Sequence, residues 1–74
     1  HTARLYTDEY ETSIASRLGV IDEAYAHVRI GSYPRFGEGA HKVMVTLESR
    51  DAEALEGAVT ALAAQLSLTA PVER

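Results

Sequence analysis

The stretch HVRIGSYPRFGEGAHKVMVTLES, residues 27–49, decides the fold. In its second half Val43, Val45 and Leu47 alternate with Lys42, Met44, Thr46 and Glu48, the period-two pattern of a strand with one buried face, predicted over 41–49. The first half repeats the pattern over 27–33, with Val28 and Ile30 on one side and His27, Arg29 and Tyr33 on the other. PRFGEGA, residues 34–40, joins them as a hairpin connection longer than the tightest kind, its glycines and proline serving the turn. Backbone N–H groups in such a loop can also meet a phosphate, but a turn accounts for the pattern without one.

Upstream, ARLYT (3–7) reads as a short strand and TDEYE as a helix start. Asp8 is placed to cap the helix with Glu11 three residues on, and Glu9 to add charge at the positive end of the helix dipole. Tyr10, Ile14, Leu18, Ile21 and Tyr25 then form one helical stripe. Gly19 falls inside it at a cost of about 1 kcal/mol relative to alanine, so the reading expects either close packing there or a broken helix. Downstream, Asp51 caps a second helix striped by Leu55, Val59, Leu62 and Leu66, with alanines on its flanks.

The order is therefore β-α-β-β-α. A right-handed crossover sets the first two strands parallel, and the third slots between them, antiparallel to both. The predicted fold is α+β: a three-stranded mixed sheet, third strand central, with two helices on one face. The expected core is Leu5, Ile14, Leu18, Ile21, Tyr25, Val28, Ile30, Val43, Val45, Leu47, Leu55, Val59, Leu62 and Leu66.

With 74 residues there is material for one compact domain, near the lower size limit for a single core. The reading takes residues 1–74 as one small accessory domain excised from a longer protein, ordered over about 3–67, with SLTAPVER (67–74) loose. Cysteine is absent, which excludes disulfides, thiolate metal sites and thiol nucleophiles and leaves a reducing cytoplasm as the expected location. No apolar run reaches the roughly 20 residues a membrane span needs. The net charge of −4 disfavours a phosphate-neutralising binder.

The sheet face left bare by the helices carries Arg4, Tyr6, Arg29, Tyr33, Lys42, Met44, Thr46 and Glu48. Tyrosine and arginine together are typical of protein contact surfaces. The predicted docking face is Arg4, Tyr6, Arg29, Tyr33, Arg35, Phe36, Lys42 and Met44, the hairpin pair included. Aromatics with arginine on an open sheet can also stack bases, which leaves a binding module for single-stranded nucleic acid or protein as the alternative. GEG at 37–39 is too short and too acidic for the G-x-x-G clamp of KH domains, so nucleic acid is disfavoured.

No catalytic constellation is legible. His1, His27 and His41 lack the helical i, i+4 pairing or carboxylate cluster of a metal site, and no serine sits in a nucleophile-elbow setting. Neither catalytic residue, cofactor nor metal is therefore expected in this chain.

LYTDEYETSIASRL, IGSYPRF and KVMVTLESRDAEALEGAVTAL together resemble the small domain that follows the molybdopterin-binding-like domain of CinA-type proteins, most of all the version in the amino-terminal half of animal FAD synthases. The resemblance spans about residues 5–66. It rests on Glu11, Ile14 and Ala15 at the helix start, on the turn Gly31-Ser32-Tyr33-Pro34, and on the VTLESRD junction. It implies a KH-like, half-ferredoxin-like fold and a non-catalytic role beside a preceding domain that resembles metal-dependent FAD or ADP-ribose pyrophosphatases. The catalytic residues and divalent metal would belong to that domain. The implied partners are that domain of the same chain and a second copy in a homo-oligomer.

Overall fold

A computed structural model describes residues 1–34 and 42–74. Its elements run β1 (Thr2–Thr7), α1 (Glu11–Ala24), β2 (Arg29–Pro34), β3 (Val43–Glu48) and α2 (Ala52–Ala63). The sheet order is β1-β3-β2, and β3 is antiparallel to both neighbours, so both ladders are antiparallel although β1 and β2 run the same way.

The register stacks Ala3–Leu47–Ile30, Leu5–Val45–Ser32 and Thr7–Val43–Pro34 across one face. Ala3, Leu5, Val43, Val45 and Leu47 share one buried cluster with Ile14 and Ile21 of α1 and Leu55, Ala58, Val59 and Leu62 of α2, so both helices cover this face. The expected core is buried except for Leu18, Tyr25 and Ile30, which are half-buried and pack against it. Ala3 and Ala58 join it, both almost wholly buried.

Several local expectations need correction. Tyr10, not Asp8, is the N-cap of α1 and makes no side-chain cap bond, while Glu9 turns away to hold Arg17 and the backbone of Ser67. Asp51 caps α2 as expected, accepting from the backbone N–H groups of Glu53 and Ala54. At Gly19 neither expected alternative holds: α1 is continuous, and a Cβ there would meet nothing within 4 Å. The close helix contact is at Gly57 of α2, where a Cβ would stand 3.0 Å from the Tyr25 ring.

The C-terminal segment is not loose. The backbones of Arg4 and Glu73 exchange both hydrogen bonds, and the Thr69 N–H donates to the Tyr6 carbonyl, so residues 68–73 lie antiparallel along the outer edge of β1. The Thr7 hydroxyl, fully buried, donates to the Ser67 carbonyl at 2.8 Å. No described helix is long and apolar enough to cross a membrane.

The two helix glycines make opposite predictions. Gly19→Ala should stabilise the chain by up to about 1 kcal/mol, because it gains helix propensity at no steric cost. Gly57→Ala should gain less or destabilise, since its methyl group meets the Tyr25 ring. Chemical denaturation of both variants checks the order; equal gains would contradict the packing described.

Candidate docking surface

On the face opposite the helices the register sets three rows: Thr2–Glu48–Arg29, Arg4–Thr46–Gly31 and Tyr6–Met44–Tyr33. Cross-strand neighbours of this kind interact directly, here as acid beside base in the first row and as aromatic–thioether–aromatic in the third. A shallow groove runs between Arg4 and Arg29, floored by Gly31 and Thr46 and bounded by Tyr33 and Glu48. Gly31 leaves room for a close side-chain approach there. The Tyr33 ring lies 3.3 Å from the point a Cβ would occupy, and the Thr46 hydroxyl is equally near, so the aromatic ring covers bare backbone.

The predicted docking residues do not all remain available on this face. Tyr33 is 54% exposed and Arg29 is exposed beside it, with Met44 half-buried between the tyrosines. Tyr6 is only 8% exposed, and its hydroxyl donates to the Glu73 carboxylate at 2.9 Å. Arg4 lies 3.6 Å from the same carboxylate. The C-terminal segment thus takes the β1 side of the face and leaves the β3–β2 side bare. Lys42 is exposed at the end of the sheet, its ammonium 5.9 Å from the centre of the Tyr10 ring. Arg35 and Phe36 lie outside the described residues, as does His41. His27 is exposed.

Sequence reasoning missed Glu73, because its partners Tyr6 and Arg4 are remote in the chain and no local period marks such a contact. It also missed Ser49, which is buried and closes the opposite end of the sheet. The Ser49 hydroxyl donates to the His27 carbonyl at 2.9 Å and accepts from the Asp51 N–H at 3.0 Å. This serine ties the start of β2 to the cap of α2 and has a structural role. Among the described residues no group of three or more His, Cys, Asp or Glu side chains could hold a metal ion.

With this surface in place, comparison with known families is informative. The family model described as FAD synthase, middle domain, matches residues 1–73. The chain belongs to the FAD synthase middle-domain family. No individual curated protein matches it. The match makes this middle domain an accessory region of an FAD synthase-like protein and not its catalytic part. It supports the FAD-synthase side of the resemblance drawn from the sequence.

The middle domain's C-terminal segment is fastened through carboxylates. Glu9 accepts from both terminal nitrogens of Arg17, at 2.7 and 3.3 Å, and from the Ser67 N–H at 2.9 Å. Arg17 also donates to the carbonyls of Gln65 and Ser13, binding α1 to the chain that leaves α2. The Arg17 hydrogen bonds, then the Ser67 N–H, hold Glu9 below its ordinary pKa of 4.5. Glu56 is likewise lowered by its hydrogen bonds from Arg74, though that pair is half exposed and contributes little.

A carboxylate with a lowered folded-state pKa contributes stability that is fully present above its unfolded value and lost as pH falls through the folded one. The thermal midpoint should therefore drop as pH falls from about 5 to about 3. Arg17→Met should make that drop shallower while lowering the midpoint at neutral pH. Melting curves across this range check it; an unchanged acid slope in the variant would contradict the role given to Glu9.

Proposed function

We propose that this chain serves as the accessory domain of a CinA-like, molybdopterin-binding-like nucleotide pyrophosphatase or FAD synthase-like protein, docking its open sheet face on the neighbouring catalytic domain. The observation that carries the reading is the bare β3–β2 half of the sheet, where exposed Tyr33 and Arg29 stand beside Met44 on a rigid, register-locked platform. Aromatic and arginine side chains on a pre-ordered surface bind without a large ordering cost, which is how contact residues come to dominate an interface. In this reading any divalent metal and the chemistry on FAD or ADP-ribose belong to the partner domain. The KH-like arrangement of helices over one sheet face supplies shape and stiffness, and the expected location is the cytoplasm.

The test is an amide NMR titration of the labelled chain with the catalytic domain of its parent protein. Shifts are expected at Arg29, Gly31, Tyr33, Met44 and Thr46, and Met44→Lys should weaken binding by at least about tenfold. Shifts confined to the outer faces of α1 and α2 would contradict the reading.

A further inference from the structure

The outer edge of β2 is a second surface, separate from the open face and independent of the docking proposed for it. His1 and Ser49 exchange both backbone hydrogen bonds, so by alternation Ala3–Leu47, Leu5–Val45 and Thr7–Val43 are the bonded pairs of the β1–β3 ladder. Residues 44, 46 and 48 therefore turn their backbone groups to Tyr33, Gly31 and Arg29 of β2. The N–H and C=O groups of Ile30 and Ser32 are left pointing outward, and among the described residues no backbone group pairs with them. The other edge of the sheet is taken, because residues 68–73 run along β1.

Beside the free edge runs a groove of about 170 Å³, lined by Leu18, Gly19 and Asp22 of α1 and by Ile30, Gly31 and Ser32 of β2. Leu18 and Ile30 give it apolar walls, and it is open at Gly19, where a Cβ would meet nothing within 4 Å. Its charge is negative. Asp22 lines it, and the Glu11 carboxylate, which accepts the Ser32 hydroxyl at 2.9 Å, stands at the same edge. Neither carboxylate has an ion-pair partner among the described residues. Arg17, the basic residue of α1, is already held by Glu9 and by the carbonyls of Gln65 and Ser13.

We propose that this edge takes up an extended segment of another protein as an added antiparallel strand, one whose two residues facing α1 are lysine or arginine. Ile30 and Ser32 would each exchange two backbone hydrogen bonds with the residue opposite, the bonding of strand addition at a sheet edge. Because strand side chains alternate, the side chains of those two residues project to the helix side, one toward Glu11 beside Ser32 and one into the groove between Ile30 and Asp22. A lysine or arginine suits this channel, its methylene stem lying on Leu18 and Ile30 while its charged end reaches a carboxylate. The residue between them falls opposite Gly31 on the open face, where an apolar or aromatic side chain packs against the Tyr33 ring. The edge thus selects a basic–apolar–basic triplet in extended conformation.

Charge sets this occupant apart from the others an open edge admits. An acidic peptide or a nucleic acid strand would bring anions against Glu11 and Asp22. A second β2 strand would bring another Glu11 and another Asp22 to the same place.

An amide NMR titration of the labelled chain with two blocked peptides tests the proposal: Thr-Val-Lys-Phe-Lys-Val-Thr and the same peptide with both lysines replaced by glutamate. The lysine peptide should shift the Ile30 and Ser32 amides saturably and slow their hydrogen exchange, with a dissociation constant at least about tenfold below that of the glutamate peptide. Asp22→Lys and Gly19→Lys should each weaken the lysine peptide by at least about fivefold with melting points unchanged or higher, since one puts a cation in the last turn of α1 and the other raises helix propensity. Glu53→Lys, the same kind of charge change on an exposed position of α2, should alter binding by less than about twofold. No saturable change at Ile30 and Ser32 up to about 10 mM peptide, equal or tighter binding of the glutamate peptide, indifference to either groove variant, or protection of these amides by protein concentration alone would each overturn the proposal. Loss of the open-face docking with this binding intact, or the reverse, separates the two surfaces.

Discussion

Everything in this domain hangs on the one-sided burial of β3. Val43, Val45 and Leu47 are almost wholly buried, and each is matched in register by a β1 residue of the same face, Thr7, Leu5 and Ala3 in turn. Because strand side chains alternate with period two, this commits Met44, Thr46 and Glu48 to the other face, and a slip by one residue would invert both. The helices need only supply apolar stripes spaced to meet that surface. α2 does so with Leu55, Ala58, Val59 and Leu62, and α1 with Ile14 and Ile21. Among the described residues the buried apolar side chains of sheet and helices form one cluster, so the central strand fixes both what is hidden and what is shown.

The sheet is also lopsided along its edges. The β1 edge is closed by the chain's own C-terminal segment, through backbone pairing at Arg4 and Tyr6 and through Glu73 on the tyrosine hydroxyl. The fastening continues through Thr7, Glu9 and Arg17 toward the end of α2. An unpaired strand edge invites association; the β1 edge is satisfied internally, whereas among the described residues no backbone group pairs with the outer edge of β2.

Much of this was legible in the sequence, for a physical reason. Alternation in 41–49, the Asp51 cap and the α2 stripe are local patterns, and local patterns determine which residues a strand or helix can bury. Element order then left few topologies, and the central placement of β3 followed. What could not be read were contacts between distant residues that no period announces: Glu73 on Tyr6, Thr7 on Ser67, Ser49 on His27. Tyr6 looked like a docking residue because its phase puts it on the bare face, and only the returning segment buries it. Asp8 looked like a cap, yet the chain enters α1 two residues later and spends Glu9 on holding the C-terminal segment. Gly19 was marked for close packing or a break in the helix, and the structure shows a continuous α1 with open space at that position.

Membership of the FAD synthase middle-domain family gives this geometry its setting, that of an accessory domain of an FAD synthase-like protein. The claim beneath it is the asymmetry of the sheet, and amide hydrogen exchange on a dilute sample measures that most directly. The account predicts that the Arg4, Thr69 and Glu73 N–H groups are protected together with the β1–β3 ladder, while those of Ile30 and Ser32 exchange at nearly free-chain rates between protected neighbours at Arg29, Gly31 and Tyr33. Rapid exchange at Arg4 and Glu73, or uniform protection along β2 in the monomer, would contradict it.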